Sequence, residues 1–362
     1  MRIKEIDIMK CIAILGIIMV HTAQKFKAMP ETIMLLCCFG QMGVQIFFMF
    51  SAYSLCLSKN AKTSFINKNY YLKRFLRLVP GYWIGIVLYI LVFAITTIVN
   101  IPTVLYTNTK PFAIIVNILL LNDLFVEGNN NVVPGGWSIS CIWLFYLAFP
   151  VIWLIIKKLK KDSLRIAALA FCIIVVPIAF TLIYYLSGGE IVVENNSFIY
   201  FLILNQLPAF LMGLLLFIAE GHVPNDKKIK ACLAILTAVI TLTAVYVFIK
   251  GYWWSYFTVT ILVAAAAACL FMLLRRCSFD YHEICLKIGK RTYSMFLVHF
   301  LFAYYGVSYS RKIILHFGVD INSVWGFIVA YVLIVILSYI AGGWLEKLMD
   351  LPLNWYKNKK NI

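Results

Sequence analysis

Two ionisable side chains stand in an apolar stretch near the start of the chain. Lys10 and His21 are eleven residues apart, in a segment rich in Ile, Met and Leu. Eleven helical steps make three turns plus about 20°, so the two share one stripe and lie about 16 Å apart along the axis. Asp7 precedes Lys10 by three residues, a spacing that lets a carboxylate and an ammonium pair on a helix. Imidazole exchanges a proton near neutral pH, which suits His21 to general acid–base work. Both residues also have plainer readings: a terminal histidine at a membrane interface, and a lysine whose stem lets its charge reach the headgroups.

Two further clusters have chemical promise. Arg74 and Arg77 sit at i, i+3 in Tyr71-Leu72-Lys73-Arg74-Phe75-Leu76-Arg77-Leu78-Val79-Pro80. A guanidinium pair on one face suits phosphate groups, including those of coenzyme A, and equally suits an ordinary membrane anchor. The turn Pro134-Gly135-Gly136 leads into Trp137, Ser138 and, two turns on, Tyr146. Aromatic plates with hydroxyls nearby are what sugar-binding surfaces use, and an interfacial aromatic belt is the competing reading.

The elements that must position these residues are membrane helices. Of 362 residues 63% are hydrophobic and 13% charged, with a mean hydropathy of +0.90. Soluble domains carry about 25% charged residues, so only lipid can accommodate this composition. Stretches long enough to cross a bilayer fall near 7–24, 36–57, 79–99, 137–156, 165–186, 199–219, 231–249, 253–274, 291–309 and 323–345. The stretch 111–126 is shorter and interrupted by Asn117, Asn122 and Asp123, which predicts an interfacial or re-entrant helix. The first segment lacks a clean small-x-small cleavage site and is expected to stay as an uncleaved helix. The expected fold is therefore an all-α integral membrane protein of about ten transmembrane helices. Residues 1–350 form one polytopic domain, and 351–362 form a short basic tail.

Charge placement sets the orientation. With the N-terminus inside, 25 of the 32 Lys and Arg residues fall in cytoplasmic segments, six fall outside and Lys10 lies in the first helix. Both termini are then cytoplasmic, and the net charge of +17 reflects topology and attraction to anionic lipid rather than nucleic-acid binding. Ten cysteines are scattered without metal-ligand spacing and read as small hydrophobes, with no metal expected. The Ala264–Ala268 run and the Gly81/Gly85 pair read as small faces where helices approach closely.

Taken in order, these segments resemble the acyltransferase-3 family of bacterial membrane acyltransferases, which O-acylate surface glycans and some small molecules. The run from Ile6 through Lys10 to His21 resembles the family's opening motif of a basic residue, ten residues and a histidine. Gly43-Val44-Gln45-Ile46-Phe47-Phe48-Met49-Phe50-Ser51 resembles its second-helix signature. Arg74 and Arg77 followed by Pro80 and Tyr82 resemble its arginine motif, and Trp137-Ser138-Ile139-Ser140 through Phe145-Tyr146 its Trp-Ser segment. Gln206-Leu207-Pro208-Ala209-Phe210 through Gly213, and Thr292-Tyr293-Ser294 through His299, are similar to later landmarks. Three positions depart from the pattern: Lys10 replaces the commoner arginine, Ala52 a glycine, and Ile142 the usual glutamate of the Trp-Ser segment.

The resemblance implies an O-acyltransferase that takes an acyl group, by default acetyl, from cytoplasmic acyl-CoA. The acceptor would be a hydroxyl of a cell-surface glycan or its lipid-linked precursor, a polysaccharide modification of the bacterial cell envelope. On this reading Arg74 and Arg77 hold the coenzyme A phosphates, and Lys10 with Asp7 lines or polarises the thioester path. His21 acts as general base or passes the acyl group through an intermediate. Trp137, Ser138 and Tyr146 contact the acceptor, while His299 is open between packing and catalysis. The expected location is the bacterial cytoplasmic membrane, with membrane lipids and the saccharide acceptor as partners. No hydrolase-like extra domain is expected, so a separate envelope protein or a second copy of the chain stands open as a further partner. Two rivals remain: a transporter or flippase using Asp7, Lys10 and His21 as a relay, and an inactive relative acting as a partner protein, motivated by Ile142.

Overall fold

The computed structural model describes residues 3–26, 29–58, 68–100, 107–188, 198–252, 254–307, 316 and 324–359. Of the basic residues used for orientation, Arg2, Lys27, Lys59, Lys62, Arg311, Lys312 and Lys360 lie outside the described residues. The described elements are all helical, because a chain in hydrocarbon must satisfy its backbone groups within each segment. They are α1 (Lys4–Ala23), α2 (Glu31–Cys38), α3 (Gly43–Cys56), α4 (Lys68–Ile98), α5 (Pro111–Ile118), α6 (Gly136–Lys158) and α7 (Asp162–Leu186). There follow α8 (Phe198–Phe201), α9 (Ile203–Ala219), α10 (Lys227–Lys250), α11 (Ser255–Arg276), α12 (Glu283–Lys290), α13 (Thr292–Leu301) and α14 (Val324–Lys359).

Among the described residues nine helical spans are long and apolar enough to cross a membrane. They coincide with nine of the ten predicted stretches, α2 with α3 and α8 with α9 each supplying one. The remaining stretch, 291–309, is described only to Val307: α13 continues through a π-helical turn over Phe302–Gly306, and 308–309 lie outside the described residues. The stretch 111–126 is the short α5 followed by a 3-10 turn at Asn122–Leu124, too short to span. Spans differ in how much protein surrounds them: 61% of the α1 and α8–α9 windows is buried, against 22% for α7 and 17% for α10. Ile183, Leu186, Ile235 and Leu242 are accordingly exposed and suit contact with lipid.

The chain divides into two compact units. The first comprises Met1–Met9, Val44–Tyr71 and Cys141–His282. Here α10 packs on α11, and α9 packs on both α7 and α11. Its aromatic core includes Phe145 stacked on Phe210 at 4.2 Å and Phe50 edge-on to Phe271 at 5.0 Å. Gly213 lies so close to the Met49 carbonyl that no Cβ fits. α10 begins on the Asp226 side chain, which accepts from the Ile229 amide, and ends at Gly251 in the left-handed region.

The second unit comprises Lys10–Gly43, Leu72–Ser140 and Glu283–Ile362. α13 packs on α14, fastened by Arg291, whose Nε lies 3.1 Å from Glu346 and whose guanidinium covers the Tyr339 ring at 4.3 Å. Gly16 and Gly40 meet backbone to backbone, as do Gly43 and Ala13, contacts that require hydrogen in place of a side chain. Gly81 abuts Met349 and Tyr293, and Gly85 abuts Leu297, so the expected close-packing role of that pair is met. Ala264, Ala266, Ala267 and Ala268 are likewise buried, in the first unit.

Candidate active site

His21 occupies the last turn of α1, half-buried. Its Nδ1 lies 3.1 Å from Gln24 Oε1, one turn on, and the same oxygen accepts from the Tyr304 hydroxyl at 3.1 Å. With an amide oxygen facing it, Nδ1 is the donor, and the neutral ring keeps its lone pair on Nε2. Lys25 covers the Tyr304 ring at 3.7 Å. Gln24 thus sets the His21 tautomer, and Tyr304 in turn fixes Gln24.

The ring of His21 rests on Phe300 at 4.1 Å and lies 5.4 Å from the ring of His299. His299 is fully buried on α13. Its Nδ1 lies 2.7 Å from the Phe296 carbonyl, which can only accept. Nε2 of His299 is therefore also the lone-pair nitrogen, and it finds no hydrogen-bond partner among the described residues. The two imidazoles thus share one aromatic wall, with the Nε2 of His299 left without a partner among the described residues. The sequence left His299 undecided, and the only available signal was its place in a later landmark; the contact with α1 is tertiary.

The Pro-Gly-Gly turn closes on the same wall. Gly135 has φ +76°, and a Cβ there would strike Phe296, with Phe300 close behind. Gly136 lies against the Tyr82 hydroxyl, which donates to Asn117 Oδ1 at 2.6 Å. Asn130 Oδ1 accepts from the Gly135 amide at 2.6 Å, and Ser138 donates to the Gly135 carbonyl at 2.8 Å. The start of α6 is thus locked to α4, α5 and α13 while its own hydroxyl serves the turn. Trp137 and Ser138 are both buried. Tyr146 is buried too, in the first unit, where its carbonyl accepts from Tyr70 at 3.0 Å.

Lys10, Arg74, Arg77, Trp137 and Ser138 belong to the second unit with His21, whereas Asp7 belongs to the first. Lys10 is half-buried and Asp7 buried. On α4, Arg74 is half-buried with its Nε enclosed, and Arg77 is exposed. The next turn is anchored by Tyr293, which donates to the Leu78 carbonyl at 2.6 Å. Arg77 precedes Tyr82 by five residues, a rise of about 7.5 Å along α4. Among the described residues no three His, Cys, Asp or Glu side chains group as metal ligands would.

A family model described as an acyltransferase domain matches residues 3–343. The chain belongs to the acyltransferase-3 family. With nine described spans, it is a multi-pass membrane acyltransferase. No curated protein and no solved structure matches it. The family match covers the paired histidines, the arginine pair and the Pro-Gly-Gly turn alike. Ile142, where the family's glutamate was expected, is half-buried in the first unit. Asp123 supplies a fully buried acidic residue in the second unit, its amide donating to Ser140 Oγ at 3.2 Å.

Proposed function

We propose that this acyltransferase moves an acyl group, by default acetyl, from cytoplasmic acyl-CoA to a hydroxyl of a cell-surface glycan or its lipid-linked precursor, with both termini in the cytoplasm of a bacterial cell. The observation that carries the chemistry is His21, tied through Nδ1 to Gln24 and braced on Phe300. In the proposed step His21 Nε2 removes the acceptor hydroxyl proton as the oxygen attacks the thioester carbonyl. The tetrahedral intermediate collapses with loss of the coenzyme A thiolate, which receives the proton back from the imidazolium. Ester and thiol are the products, and the base returns to its starting state.

Arg74 and Arg77 would hold the coenzyme A phosphates, because a guanidinium pair can bind them bidentately. Lys10, on the His21 stripe, would draw charge from the thioester carbonyl. Trp137 would brace the acceptor side with Ser138.

The test uses purified protein, labelled acetyl-CoA and a panel of glycans, comparing wild type with His21→Ala. Labelled product and free coenzyme A should form only with the wild type. Coenzyme A release that survives the substitution removes His21 from the mechanism. Saccharide movement across a proteoliposome without acyl consumption would instead support transport, and no turnover by folded wild type would support an inactive partner role.

A further inference from the structure

In the first unit the ends of α6, α7 and α9 enclose a cavity of about 470 Å³, a volume in the range of small-molecule sites. Its floor is apolar. Trp153 and Ile156, from the last turns of α6, are buried, and Phe217 of α9 sits edge-on to Trp153 at 6.0 Å. Its rim is cationic. Lys157 Nζ lies 5.6 Å from the centre of the Trp153 ring, Arg165 projects from the start of α7, and His222 closes the 3-10 turn after α9. The one carboxylate in the lining, Asp162, is answered on both oxygens: Oδ1 by Arg165 Nη1 at 2.7 Å and Oδ2 by His222 Nε2 at 3.1 Å.

Arg165 is held in place with donors to spare. Nε donates to the Leu159 carbonyl at 2.8 Å and Nη2 to the Lys157 carbonyl at 3.5 Å. With the Asp162 bond these use three of the five N–H groups of a guanidinium and fix its plane. Residues 157–165 contain Lys157, Lys158, Lys160, Lys161 and Arg165 against Asp162 alone, so the field at the rim is positive. A cationic rim over an aromatic floor suits an anion with an apolar body. The surface beside the cavity says which kind. Ile155 and Leu164, next in sequence to the lining residues Ile156 and Arg165, are exposed, as are Phe171 and Ile174 further along α7. A free phosphate has no use for that surface, whereas a phospholipid covers it with its chains. On the orientation proposed above, these helix ends lie at the cytoplasmic leaflet, whose anionic headgroups favour basic pockets between transmembrane helices.

We propose that this cavity is a headgroup site for an anionic phospholipid, its phosphodiester held by Arg165 and Lys157 and its acyl chains lying along α7. The site is separate from the proposed transfer chemistry and uses none of its residues. A bound headgroup would tie the ends of α6 and α7 together through its phosphate oxygens.

The experiment counts lipid retained by the full chain in neutral detergent at physiological ionic strength, using native mass spectrometry. The probes are phosphatidylglycerol and, as a zwitterionic control of equal chain length, phosphatidylcholine. Wild type should retain phosphatidylglycerol saturably and in preference to the control. Lys157→Gln should weaken that binding about 10-fold, the scale of one charge-assisted hydrogen bond. Lys160→Gln removes the same charge from the same basic run but not from the cavity lining. It should leave binding within about 2-fold, because an exposed charge outside the cavity is screened by salt. Arg165→Lys, which keeps the charge and loses the planar fork, is a second variant and should also weaken binding. Equal retention of both lipids overturns the site, as does a loss in Lys160→Gln as large as in Lys157→Gln, or wild-type affinity in both cavity variants. Displacement of the lipid by equimolar inorganic phosphate or acetyl-CoA would assign the cavity to a soluble anion and overturn the lipid. None of these readouts needs turnover, so a failure of the proposed reaction leaves the site standing.

Discussion

In the first unit, Glu220 accepts from Arg275 Nε at 3.0 Å and from the Tyr53 hydroxyl, while Glu5 lies 3.8 Å from the same guanidinium. Arg276 donates to the carbonyls of Glu220, Val223, Pro224 and Met272. In the second unit, His21 and His299 each have one nitrogen fixed by a carbonyl oxygen, and His299 Nε2 is left without a partner. The first cluster borders a cavity of about 440 Å³, yet its charges answer one another. Polar groups that hold a fold together saturate each other. Groups that hold a substrate keep a valence open and pay for it in stability. By that criterion we propose the imidazole pair as the reactive centre, and the charge cluster as a structural clasp.

The comparison breaks first at His21. His21→Ala should lower the rate of acyl transfer about 10³-fold, the usual range for a general base, with an unchanged melting temperature in detergent. A rate within a factor of three of wild type would put the two clusters on the same footing. His299→Phe should follow, slowing transfer about 10-fold while costing little stability, because the variant buries a ring with no orphaned nitrogen. A large drop in melting temperature would make His299 a packing residue.

Gln24→Leu removes the acceptor that sets the His21 tautomer, and should lower kcat about 10-fold with a smaller effect on the acyl-CoA KM. Partial recovery in Gln24→Glu, which restores an acceptor, would separate orientation from bulk. The smallest effect on turnover belongs to the other region. Glu220→Ala leaves Arg275 and the Tyr53 hydroxyl without their shared acceptor, and should cost about 1–2 kcal/mol of stability, since Arg275 is partly solvated. Chemical denaturation reads that loss, and the KM values should not move.

Much of this is legible in the sequence. Nine of the ten predicted stretches became spans because long runs of Leu, Ile, Val and Phe leave a chain few alternatives. The tenth, 291–309, is described only as far as Val307, where α13 continues through a π-helical turn over Phe302–Gly306. The Lys10–His21 stripe was legible because helical periodicity is a property of spacing alone. The interruption at Asn117, Asn122 and Asp123 correctly argued against a span, but not that Asn117 would be saturated and Asn122 left open. That distinction depends on Tyr82 and Gly128, which arrive from other parts of the chain.

By itself the sequence determined that this protein crosses the membrane as helices, with histidine and a basic residue on one stripe, because hydropathy and periodicity act locally and need no partner. Only the structure decided which side chains face the two imidazoles and which amides remain unanswered. A tautomer is chosen by the atom facing it, and here those atoms are a glutamine one turn away, a tyrosine from the far end of the chain and a carbonyl on α13.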